Sequence, residues 1–87
     1  MLVLPPKLTH DEAPACLLML RQGLAGQAAS SMVVDASALA QFDSSALAVL
    51  LECRRLARSF GRGFAVRAAP PQLAGLARLY GIEPLLG

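Results

Sequence analysis

The chain has one histidine, His10, and two cysteines, Cys16 and Cys53. Both cysteines fall in helical patterns, without the spacing of a metal site or a redox pair, so they read as small buried hydrophobes and no metal is expected. The six acidic residues are scattered, whereas acid–base chemistry needs titratable groups held close together. Glycines stand singly, and no phosphate-cradling glycine loop follows a strand, so no nucleotide or other cofactor is expected. Ser44 is a nucleophile only if a base serves it, and His10 is the sole candidate. On this inventory the chain is not an enzyme.

Long apolar runs are also missing. The longest, such as Ala46 to Leu51, fall far short of the ~20 residues that cross a bilayer. The start, Met1-Leu2-Val3-Leu4-Pro5-Pro6, lacks the basic residues and cleavage site of a signal peptide and reads as a strand, making the cytoplasm the expected location. A formal net charge of +2 is too slight to imply nucleic acid. Arg54, Arg55, Arg58 and Arg62 cluster at one helix end without interleaved aromatics, and they read as a solvated helix face rather than a phosphate-binding stripe. There is no repeat, low-complexity tract or linker.

What is present suits one small ordered domain, residues 1–87. Hydrophobic residues make up 55% and charged residues 16% of the 87, enough for a modest core without staples. The positive mean hydropathy places some apolar surface against a partner.

Along the chain, Leu2-Val3-Leu4 is a short strand stopped by Pro5-Pro6. A helix follows, with two candidate starts. Thr9 with Glu12 has capping-box spacing but puts Pro14 one turn inside; Asp11 as N-cap puts Pro14 at the third helical position, where its missing donor is harmless. The second start is preferred. This helix turns Cys16, Leu17, Leu20 and Leu24 inward and ends near Gly26.

Met32-Val33-Val34, ending in Asp35, suits a central strand buried on both faces. After a short loop, Asp43 opens a long helix to about Phe60, with Ala46, Val49, Leu50, Cys53, Ala57 and Phe60 on the buried face. Gly61-Arg62-Gly63 ends it, and Phe64-Ala65-Val66 is a third strand. Pro70-Pro71 opens a last helix with Leu73, Leu76, Ala77 and Tyr80 on one face and Gly81 as its C-terminal cap. Ile82 to Leu86 forms a brief tail with room for one strand residue pair. Strand and helix alternate, so the fold class is α/β, with a small, mostly parallel sheet and helices packed against it.

The segment at Asp43 holds the one informative polar arrangement. Asp43 caps the helix by accepting from the amide of Ser45 or Ala46, leaving the Ser44 hydroxyl facing outward at the positive end of the helix dipole. There it can be read by a partner or carry a phosphate. Small Ser45 and Ala46 keep the neighbourhood open. Read from local chemistry alone, Asp-Ser-Ser is also an ordinary helix-start signature.

Val33-Val34-Asp35-Ala36-Ser37, a short loop, and then Asp43-Ser44-Ser45-Ala46-Leu47-Ala48-Val49-Leu50-Leu51 resemble the centre of STAS domains, in which a strand ending Asp-x-Ser precedes Asp-(Ser/Thr)-x-Gly-Leu at a helix start. The likeness extends over most of the chain, through Gly61-Arg62-Gly63 and Pro70-Pro71 to the apolar tail. Within the family, Leu76-Ala77-Arg78-Leu79-Tyr80 with Ile82 and Pro84 is similar to the end of MlaB-type subunits of phospholipid-transport ABC complexes, and Leu2-Val3-Leu4-Pro5 with Leu8-Thr9 to their start. Three departures stand out: Ala46 in place of the usual glycine, Pro6 where glycine is common, and no extra N-terminal strand.

The resemblance implies a STAS-like (anti-sigma factor antagonist-like) fold and a non-catalytic adaptor. Such an adaptor binds the ATPase subunit MlaF through Asp43, Ser44, Ser45, Ala46 and Leu47, and through it the permease MlaE, at the cytoplasmic face of the inner membrane. The other branch of the family, anti-sigma factor antagonists, implies phosphorylation of Ser44 by a partner kinase. The two readings share one position and differ in the partner.

Overall fold

In the computed structural model, which describes residues 2–26 and 31–86, the elements are β1 (Leu2–Val3), β2 (Lys7–Leu8), α1 (Ala13–Gly26), β3 (Ser31–Asp35), β4 (Gln41–Phe42), α2 (Ser44–Ser59), β5 (Gly63–Arg67), α3 (Pro71–Leu79) and a 3-10 turn at Glu83–Leu86. Among the described residues the main sheet has the order β1-β3-β5, all parallel. Leu2 pairs with Val34 and Val34 with Val66, so one register row crosses all three strands. Parallel neighbours need crossovers, and α1 and α2 supply them. Both crossovers step the same way along the sheet, and α1 and α2 pack against each other.

Alternation decides which side chains are covered. Met32 and Val34 are buried, while Val33 between them is only half-buried. The expectation of a strand covered on both faces is therefore corrected: one face carries the helices and the other is partly open. The core continues through Leu20 and Leu24 of α1, Val49, Leu50, Cys53 and Ala57 of α2, and Leu73 and Ala77 of α3. These recur at helical spacing, so each helix presents one apolar stripe. Burying a leucine as fully as Leu50 contributes roughly 1.5–3 kcal/mol.

Pro5 and Pro6 end the first strand, although the Leu4 amide still donates to Asp35 O at 2.9 Å. The chain then re-pairs: Lys7–Leu8 lies parallel to Gln41–Phe42 in a second, two-residue ladder, where loops were expected. Pro6 O accepts from the Ala40 and Gln41 amides at 2.8 and 2.9 Å, and Leu8 and Leu39 anchor the segment in the core.

The preferred start for α1 is also corrected. Thr9 and Glu12 form the capping pair, with the Thr9 amide donating to Glu12 Oε1 at 2.9 Å and the Ala13 amide to Thr9 O at 3.1 Å. A turn through Glu12 leads into the helix, and Pro14 is its second residue. Phe60 and Tyr80, expected on buried faces, are the C-cap residues of α2 and α3 and are exposed. Gly61 and Gly81 follow them at φ of +70° and +71°, the left-handed conformation that glycine adopts most easily. The tail forms a 3-10 turn in place of a strand pair.

Candidate functional site

In a parallel sheet the helices begin at the carboxyl ends of the strands, so the N-termini of α1 and α2 fall at one end of the molecule. Asp43 joins them. Its Oδ1 accepts from the Ser45 amide at 2.8 Å, capping α2, and its Oδ2 accepts from the His10 amide at 3.2 Å in the turn that leads into α1. The negative carboxylate thus meets two helix starts, where unpaired amides give partial positive charge. Its pKa is held below the ordinary carboxylate value, chiefly by the Ser45 amide and further by His10.

The five residues expected to form the site separate into two sets. Asp43 and Ser44 are exposed, and Ser45 is half-buried. Ala46 and Leu47 are only 0% and 3% exposed, so their side chains belong to the core and not to an open docking surface. This corrects the reading of Ala46 as a residue that keeps the approach open. Where the family pattern has glycine, the alanine methyl points inward and leaves the outer surface unchanged.

Beside Ser45 runs a groove of about 380 Å³, lined by His10, Ala13, Pro14, Leu17, Ser45, Ala48 and Val49. It is largely apolar and lies between the two helix starts. The sequence reading missed its α1 wall, because nothing in the spacing of Ala13, Pro14 and Leu17 ties them to a motif that begins at Asp43. The only available signal was Pro14 near a helix start.

Other places that could support chemistry do not. A cavity of about 410 Å³, lined by Leu39, Ala40, Gln41, Phe42, Pro70 and Gln72, has no titratable side chain in its wall. Asp35 is engaged by Ser37, whose amide donates to Oδ1 at 2.8 Å, and this bond lowers its pKa ahead of the effect of Arg67. Cys16 and Cys53 are free and buried. Burial raises the Cys16 pKa and pushes that of Cys53 up to about 12, with Cys16 and Glu52 adding to the latter. Neither thiol is poised as a nucleophile. Among the described residues no cluster of metal-binding side chains occurs, and no helix is long and apolar enough to cross a membrane.

A surface network ties the far side of α1 to α2. Glu52 pairs with Arg55 on its own helix and with Arg21 across the helix interface at 3.8 Å. Such exposed pairs contribute little to stability.

The family model described as "Mlab, STAS domain" matches residues 1–87. No curated protein matches the chain.

Proposed function

The chain belongs to the MlaB-type STAS domain family, and from that premise we propose that it is a non-catalytic adaptor that binds the ATPase subunit of a phospholipid-transport ABC complex. STAS domains are in general non-catalytic. The observation that carries the proposal is the exposed Ser44 at the start of α2, held beside an apolar groove by the Asp43 bridge to His10. A protein surface docking there gains a hydroxyl to hydrogen-bond and an apolar slot for one or two side chains, the mixture that small interfaces use at their centre.

In this reading the partner is an MlaF-like subunit, the permease is reached through it, and the adaptor sits at the cytoplasmic face of the inner membrane. Asp43 and Ser44 contact the partner directly. Ala46 and Leu47 support the contact from inside by fixing the first turn of α2 on the core.

The second reading, an anti-sigma factor antagonist switched by phosphorylation, uses the same exposed Ser44. A phosphate there would gain from the helix N-terminus and be opposed by the neighbouring Asp43 carboxylate. Tagged protein purified from its native host separates the two. Recovery of an ABC ATPase supports the adaptor, and recovery of a kinase that labels Ser44, with no ATPase, replaces it by the switch.

A further inference from the structure

The arginines that read as a solvated helix face do not act as one group. Arg55 is turned away and pairs with Glu52. Arg54, Arg58 and Arg62 instead line a single pocket of about 300 Å³ with Gly63, Phe64, Pro84 and Leu85. Among the described residues no carboxylate lines it. The nearby acid, Glu83, is taken by Arg78 at 3.1 Å, and among the described residues no ion pair engages Arg54, Arg58 or Arg62.

The pocket is partly pre-organised. Arg62 Nη1 donates to Leu24 O at 2.8 Å, at the C-terminal end of α1, and its guanidinium lies 5.8 Å from the centre of the Phe60 ring, a cation–π distance. One of its five N–H donors is thereby committed and the side chain is fixed, which leaves the others to donate elsewhere. Arg54 and Arg58 rise from consecutive turns of the same face of α2, since i and i+4 are neighbours on a helix. Three cations around one small cavity repel one another, and an anion within it removes that repulsion.

The geometry points to a phosphate-binding pocket formed by Arg54, Arg58 and Arg62. A carboxylate carries one charge, whereas a phosphate monoester carries nearly two and offers three acceptor oxygens to converging guanidinium forks. Phe64, Pro84 and Leu85 form an apolar wall beside the arginines, so the ligand is the phosphate of an ester with an apolar remainder, either free in solution or in a lipid headgroup. The pocket is about 20 Å along α2 from Ser44, given the rise of a helix, and does not depend on the adaptor reading.

The test uses the whole protein, with inorganic phosphate as the soluble probe and vesicles as the membrane probe. In phosphate titrations at constant ionic strength, the NMR signals of Arg54, Arg58, Gly63 and Phe64 move saturably, and chloride does not move them. The Arg54→Gln/Arg58→Gln double variant, whose melting temperature is checked against wild type, binds about tenfold more weakly or worse, the loss expected for hydrogen bonds to a charged group. Arg58→Lys, which keeps the charge and loses the fork, falls between. If the source is a headgroup, the protein sediments with phosphatidylcholine vesicles containing phosphatidic acid, not with phosphatidylcholine alone, and the double variant does not. Equal phosphate shifts in the double variant, equal shifts with chloride, or failure of both the titration and the sedimentation overturns the pocket.

Discussion

The backbone amide of His10 donates to Asp43 Oδ2 at 3.2 Å across 33 positions of sequence, while the other oxygen of the same carboxylate caps α2 through Ser45. One side chain therefore closes the first turn of α2 and holds the turn leading into α1 against it. The apolar groove between the two helix starts has both amide donors' residues, His10 and Ser45, in its wall.

Replacing Asp43 separates its two roles. Asp43→Ala removes both acceptors and is expected to lower the melting temperature by a few degrees, as loss of a helix cap does. Asp43→Asn keeps a side-chain oxygen for the Ser45 amide and should recover most of that loss. Equal melting curves for wild type and Asp43→Ala would show that the bridge contributes nothing.

The pH dependence follows from the same contacts. The Asp43 carboxyl is held below its ordinary value first by the Ser45 amide, and that of Glu12 first by the Thr9 hydroxyl. A carboxylate depressed in the folded state stabilises fully above its unfolded pKa, and that stabilisation is lost as the pH falls through the folded one. Thermal melts should thus be flat from neutrality to about pH 5 and decline below about pH 4. Asp43→Asn combined with Glu12→Gln should flatten the decline; an unchanged acid limb would assign it to other groups.

Cys16 and Cys53 should be silent in the native protein. Both are buried, with thiol pKa values raised by burial. A thiol-reactive dye should label neither on the timescale of minutes and both after denaturation. Rapid labelling of the native protein would contradict the packing of α1 on α2.

Backbone conformation gives a pair of opposite stability effects. Ala68, just after β5, is exposed with φ of 57°, a conformation that costs an L-residue roughly 1–2 kcal/mol. Ala68→Gly relieves it and loses part of the gain to the greater freedom of the unfolded chain, for a net stabilisation of about 0.5–1 kcal/mol. Gly61→Ala does the reverse: nothing lies within 4 Å of the added methyl, so its net cost of about 0.5–1 kcal/mol is conformational alone. Denaturant melts measure both, and a loss of stability in Ala68→Gly would refute the assignment.

Much of the fold was legible because long periodic elements carry their own signal. The stripe Ala46, Val49, Leu50, Cys53 and Ala57 marks α2 and its inner face, and Asp43 marks its start. Gly61 and Gly81 were readable as helix stops because few other residues adopt their backbone angles cheaply. The β2–β4 ladder was not readable, since two residues show no period and the pairing is set by Pro6 O accepting from Ala40 and Gln41. At the start of α1 the choice turned on where Pro14 falls: the Thr9–Glu12 pair closes a turn ahead of the helix, so Pro14 is the second helical residue and its missing donor costs nothing. The candidate site was half legible: Asp43 and Ser44 lie on the surface as expected, but periodicity alone already placed Ala46 in the core, and only the fold brings His10 to Asp43. The arginine pocket was hidden because Arg54 and Arg55 are neighbours in sequence and point to different surroundings in space.

The most direct test of the adaptor reading is the affinity of the purified protein for the purified ABC ATPase subunit of its own host, measured for wild type and Ser44→Tyr, with a melting curve for each. A stable complex is expected for wild type, and for Ser44→Tyr a binding loss of more than about tenfold with little change in melting temperature, because Ser44 is exposed. No complex with wild type, or equal affinity for the two proteins, would contradict it.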